Sequence, residues 1–143
     1  MPIQSFDHVA IPIQNTEAML KFYRGLGFGV KEREHFYSVH FGDQKINFHA
    51  PERWQSGRFT LRGPTAVPGC GDFCFVWEGS AESLRASLDQ AGAKIIEGPI
   101  ERMGGRSGGH AKGMSVYVRD PDSNLLEFII YPIEETIRYH RGT

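Results

Sequence analysis

Two residues near opposite ends of the chain sit where their side chains call for chemistry. Glu127 lies inside Leu125-Leu126-Glu127-Phe128-Ile129-Ile130, and a carboxylate in so apolar a strand has to be neutralised, paired or bound to a cation. His8 opens the run His8-Val9-Ala10-Ile11-Pro12-Ile13; a neutral imidazole is a common ligand for divalent metals, and its proton moves near neutral pH. His49 shares strand parity with Lys45 and Asn47, so it is placed on one face with them. Two imidazoles and a carboxylate suit Fe(II), Mn, Ni or Zn and leave positions for water and substrate. Glu127 is then both the carboxylate ligand and the group able to move a proton. The plainer alternative for each is a hydrogen-bonded core residue.

Other side chains would shape what binds. Counted from the strand that bears His8, Phe73, Phe75 and Trp77 fall on the equivalent face of a second strand, and with Tyr117 they would form an aromatic wall for a small molecule. The alternative is that they belong to the core, since Cys74 and Val76 on the opposite face are apolar too. Arg106, His110 and Lys112 lie in a glycine-rich stretch where closure would bring a cation onto an anionic substrate group.

The elements that must position these residues come from an internal repeat. Phe6-Asp7-His8-Val9-Ala10-Ile11 returns in outline as Gly71-Asp72-Phe73-Cys74-Phe75-Val76, and the same offset of 65 relates Leu26-Gly27-Phe28 to Ala91-Gly92-Ala93. A fixed offset between separated features is the mark of a duplicated supersecondary unit. Each copy opens with a strand and continues into a helix, over 16–23 in the first copy and 80–91 in the second, stopped by glycine. Three strands follow, over 29–34, 37–42 and 45–50, then over 94–97, 114–119 and 125–131. The expectation is an α+β fold of two βαβββ modules that form a curled mixed β-sheet cleft with helices outside. The chain 1–143 reads as one domain: a first module at 5–51, a linker at 52–69, a second module at 70–132 and a tail at 133–143. The stretch 99–113, with five glycines, reads as a mobile loop because glycine brings no side chain to bury and is costly to order.

Composition narrows the partners. At 143 residues and 40% hydrophobic content the chain can bury one core of ordinary size. Sixteen basic and 17 acidic residues, intermixed to a formal charge of -1, give no field suited to phosphate backbones or anionic lipid. Nucleic acid and membrane are therefore not expected partners. The N-terminus lacks a charged and apolar leader, so a cytoplasmic location is expected. Cys70 and Cys74 fit neither a redox pair nor a disulfide framework and are read as ordinary thiols.

Asp7-His8-Val9-Ala10-Ile11, Phe22-Tyr23 with Leu26-Gly27-Phe28, and Asp120-Pro121-Asp122-Ser123-Asn124-Leu125-Leu126-Glu127 together resemble the vicinal-oxygen-chelate superfamily of glyoxalases, bleomycin-resistance proteins and extradiol dioxygenases. More narrowly, Gln44-Lys45-Ile46-Asn47-Phe48-His49 and Met114 to Pro121 are similar to glyoxalase-domain-containing protein 5 and its bacterial virulence-associated relatives. The resemblance implies a divalent metal held by His8, Asn47 or a near neighbour, and Glu127, with Phe73 at the position where many members carry a histidine; His49 then becomes the replacement ligand. It further implies a small substrate with two neighbouring oxygens and a homodimer. The expected activity is a glyoxalase-like lyase or isomerase, with extradiol ring cleavage and metal-free small-molecule binding as the alternatives.

Overall fold

The computed structural model describes residues 1–142. In the first module β1 (His8–Pro12) leads to α1 (Thr16–Gly25), β2 (Gly29–Arg33), β3 (Phe36–Phe41) and β4 (Gln44–His49); a short helix, α2 (Pro51–Trp54), begins the connection to the second. There β5 (Asp72–Val76) leads to α3 (Ala81–Gln90), β6 (Glu97–Met103), a single turn α4 (Arg106–Gly109), β7 (Lys112–Arg119) and β8 (Leu125–Ile130), and α5 (Ile133–Arg141) follows. The strands form two four-stranded sheets, ordered β1-β4-β3-β2 and β5-β8-β7-β6. In both, the opening strand runs parallel to the closing strand and all other pairs are antiparallel. The α+β architecture of two βαβββ modules is thus present.

Alternation decides which face of each sheet is buried. Partners in register share a face, so Val9, Ile11, Val39, Ile46 and Phe48 stand together under α1, whose Met19, Leu20, Phe22 and Tyr23 are buried against them. The second module repeats this with Phe75, Val116, Val118, Leu126 and Phe128 under Leu84 and Leu88 of α3. Both helices stop at a glycine in the left-handed region, Gly27 at φ 98° and Gly92 at φ 70°, where a side chain would be strained.

The two copies are not in one uniform frame. Ile13 N–H bonds to the His49 carbonyl at the end of β1, and Trp77 N–H bonds to the Ile129 carbonyl at the end of β5; these matching residues are 64 apart. The helix caps Asn15 and Ser80 are 65 apart. One extra residue between β5 and α3 therefore shifts the strands by one, and His8 corresponds to Asp72, Val9 to Phe73.

The modules share one core. Phe75 of β5 meets Phe28 and Phe41 of the first module edge to face, each at 5.2 Å. The Asp72 end of β5 shares a cavity with His8 and Lys45, and the Trp77 end shares one with Leu26 and Phe28, so β5 runs across the open end of the first sheet. On the other side the β7–β8 turn clasps the first module. Asp122 accepts from Gln14 N–H at 2.7 Å and from Asn15 N–H and Nδ2 at 3.0 and 2.8 Å, while Asp120 accepts from the Tyr23 hydroxyl at 2.8 Å. Burial pushes the Asp120 carboxyl up and, with the Asp120 charge, the Tyr23 phenol well up.

The stretch 99–113 differs from the expected loop. Its two ends are strand: Ile100, Glu101, Arg102 and Met103 pair with Ser115, Met114, Gly113 and Lys112. Its tip is pinned where the Arg106 guanidinium packs on the rings of Tyr139 at 3.7 Å and Tyr131 at 4.8 Å. The tail is the helix α5, tied down by Ser107 donating to Glu135 and by His140 with Glu78, both at 2.8 Å.

Candidate functional site

With the inner faces buried, each sheet keeps one polar face. On the first it carries His8, Ala10, Lys45, Asn47, Ser38, His40 and Lys31; on the second it carries Asp72, Cys74, Glu127, Ser115 and Tyr117.

His8 sits at the first residue of β1, with 46% of its side chain exposed. Its Nδ1 lies 2.6 Å from Asp7 Oδ1. The hydrogen bond and charge of His8 hold the Asp7 carboxyl below its ordinary range, so Asp7 is an ionised acceptor and the proton belongs on Nδ1. Nε2 has no hydrogen-bond partner among the described residues. A carboxylate behind an imidazole is the arrangement that orients a metal-binding histidine and raises its basicity.

Glu127 lies mid-strand in β8, paired with Cys74 on β5 and with Tyr117 on β7. The buried Ser115 hydroxyl donates to its Oε2 at 2.6 Å. Burial first, then the charge of Glu127 and a hydrogen bond to it, push the Cys74 thiol up to about 12. Cys74 is therefore a neutral donor beside the carboxylate, not a thiolate. This resolves how an acid is tolerated in an apolar strand: two neutral donors hold it while its face stays open.

The remaining expected residues fall differently. His49 shares the parity of Lys45 and Asn47, as expected, but lies at the far end of β4 opposite Pro12. It is buried, with its ring edge-on to Phe59 at 4.8 Å, and burial with Arg53 and Arg62 nearby holds its pKa down. The linker covers it, so it does not join His8. Phe73 and Phe75 stand on the inner face, in register with Leu126 and Phe128, because the strand frame is 64; Phe75 is buried and Phe73 half-buried, and both still line the cavity that holds His8 and Asp72. Tyr117 does stand on the Glu127 face, where its hydroxyl accepts from Arg102 Nε at 3.0 Å. Arg106 is held between two tyrosine rings and fastens the hairpin tip. Among the described residues no three of His, Cys, Asp and Glu converge as a metal site.

Asp72 is the residue that sequence reasoning passed over. It takes on β5 the place of His8 on β1, and the two line one cavity of about 380 Å³ together with Phe6 and Lys45. Its signal was a one-residue slip between the copies, visible only once strand and helix are aligned separately. Asp7, Ser115 and Cys74, which support the two central residues, carry no motif of their own.

Residues 5–128 match the Glyoxalase/Bleomycin resistance protein/Dioxygenase superfamily. The virulence protein STM3117 of Salmonella typhimurium is 34% identical over 92% of this chain and 87% of its own length. Its crystal structure superposes with a TM-score of 0.78, covering 92% of this chain and all of that one. The glyoxalase domain-containing protein RDO1 of Mycosarcoma maydis is likewise 34% identical, over 92% of this chain and 70% of its own. A lactoylglutathione lyase from Agrobacterium tumefaciens, 18% identical at a TM-score of 0.64 over 90% and 95% of the two chains, and the antibiotic binding protein TnmS3 from a Streptomyces species, with the same identity and score over 92% and 99%, share the fold alone.

Proposed function

The chain belongs to the Glyoxalase/Bleomycin resistance protein/Dioxygenase superfamily, and from that premise we propose that it binds a small organic substrate through two neighbouring oxygens at a divalent metal. His8 and Glu127 are the ligands, and a second copy of the chain brings them together as a homodimer. The observation that carries this reading is the Asp7–His8 pair on an open sheet face, which orients the imidazole as a ligand while no complete metal site stands beside it among the described residues. One face presents His8 and Asn47, and the other presents Glu127 and Asp72. Neither donor set suffices alone, and together they make four.

A bound divalent ion supplies Lewis-acid stabilisation of negative charge on the chelated oxygens, worth several kcal/mol. The chain's own residues do the rest. Asp7 keeps the imidazole in one tautomer. Ser115 and Cys74 fix the Glu127 side chain, placing its carboxyl where it can take a proton from a carbon next to the chelated oxygens, as a lyase or isomerase requires. Ring cleavage of the extradiol type is less well supported, because it needs a second histidine and His49 is buried under Phe59.

Elemental analysis of the purified protein tests the reading. One divalent ion per chain, lost in both His8→Ala and Glu127→Ala, is the expected result; full metal retention in both variants would sink it. Metal-free binding of a small molecule is the second reading, favoured by the lack of a converged metal site within the described residues. It predicts a protein without stoichiometric metal whose ligand affinity is unchanged by EDTA.

A further inference from the structure

The crevice where β5 crosses the end of the first sheet has the makings of a second binding site. It holds a cavity of about 560 Å³ walled by Phe28, Phe41, Phe75, Trp77 and Phe128. That volume falls within the range of small-molecule pockets, which are mostly apolar with a few polar groups fixing orientation. His40 stands at its rim. This imidazole belongs to a cluster with no acid among its members. Lys45 is its cross-strand partner, Lys31 pairs with the neighbouring Ser38, and the Ser38 hydroxyl lies 2.8 Å from His40 Nε2.

Neither lysine forms an ion pair among the described residues. Asp7, which feels the charge of Lys45, is engaged by His8 at 2.6 Å. Burial and the charges of both lysines hold the His40 pKa down, so the two ammonium groups lie close enough for their repulsion to be felt at the ring. His40 lines this chamber and Lys45 lines the adjoining cavity, so a neutral imidazole with two cations beside it on the sheet face, neither in an ion pair among the described residues, is complementary to a compact anion attached to a flat apolar body.

We propose that this crevice binds a small aryl carboxylate, its ring among Phe41, Phe75 and Trp77 and its carboxylate against Lys31, His40 and Lys45. The site borders the Glu127 face at Cys74, does not include Glu127 in its lining, and needs no metal. Contact with the aromatic rings supplies most of the affinity, while the lysines discriminate for charge.

Calorimetric titration with phenylacetate, with benzyl alcohol as the uncharged analogue, tests this, and Trp77 fluorescence offers a second readout. Phenylacetate is expected to bind about tenfold more tightly than benzyl alcohol, and Lys31→Gln with Lys45→Gln to remove most of that preference while leaving benzyl alcohol unchanged. Because both lysines stand on the polar face, the double variant is expected to fold, and its thermal melt verifies that. Binding in Glu127→Ala is expected to equal the wild type, which separates this site from the metal reading. No binding of phenylacetate, equal affinity for the two ligands, an unchanged preference in the double variant, or loss of binding in Glu127→Ala would each overturn the proposal.

Discussion

Equivalent places in the two modules have been put to different uses, and the contrast is sharpest at the turns that close each sheet. The turn 120–124 of the second module is a dense clasp: Asp120 and Asp122 are buried and take up backbone and side-chain donors from β1–α1 and Tyr23. The matching turn Gly42-Asp43-Gln44 of the first module makes one side-chain bond, from Gln44 to the Phe6 carbonyl within its own module, and borders the aromatic cavity. The same topology therefore gives one rigid joint and one recess. A duplicated fold needs only one of its two module junctions locked to stay together, which frees the other to bind.

The largest effect in this contrast is expected at the clasp. Asp122→Ala removes three hydrogen bonds to one carboxylate and strands two backbone donors, and is expected to lower stability by about 2–4 kcal/mol. Asp43→Ala at the matching exposed turn is expected to change it by less than about 0.5 kcal/mol; denaturant titration of both variants reads the difference. Tyr23→Phe leaves Asp120 with one donor fewer and is expected to cost about 1–2 kcal/mol in the same assay.

A second contrast lies at the covered ends of the polar faces. On the first sheet Arg53 packs over the rings of Phe36 and Phe59 at 4.6 and 4.2 Å, closing over His49. On the second, Arg106 does so between Tyr131 and Tyr139. Arg106→Ala is expected to cost about 1 kcal/mol, and to raise hydrogen exchange in α5 and the hairpin tip before elsewhere.

The first of these ends is also pH-sensitive. His49 is held neutral, below the ordinary histidine value of 6.5, by burial and two arginines. Its contribution is fully present above that value and is lost as pH falls through it toward the folded-state value, because the unfolded chain gains a proton that the folded chain refuses. Melting temperature is thus expected to fall between about pH 7 and pH 5, and to fall less in His49→Gln.

Much of this architecture was legible in the residues. The first module's strands alternate cleanly, and their bounds match within a residue or two, because each has one polar and one buried face. The stretch 99–113 reads as loop from its glycines, yet Ile100 to Met103 pair with β7 past a β-bulge; pairing to a distant strand overrides local preference. Phe73 was placed on the wrong face for a simpler reason. A single residue between Trp77 and α3 changes the frame, and in a strand one residue exchanges the faces. His8 and Glu127 were visible because their types conflict with their surroundings. The partners that tune them were not, since Ser115 and Cys74 matter only through pairing with β8. The cover over His49 comes from Phe59, ten residues later in a linker with no periodicity.

The central claim is that His8 of one copy and Glu127 of another hold one metal ion, and mixing two defective variants tests it most directly. His8→Ala and Glu127→Ala homodimers each lack every complete site, whereas a mixed dimer regains one complete site and loses the other. Unfolding the two variants together, refolding them with a divalent metal and measuring bound metal is expected to recover about a quarter of the wild-type stoichiometry, with neither variant alone binding any. A refolded mixture that binds no more metal than its separate components would contradict the account.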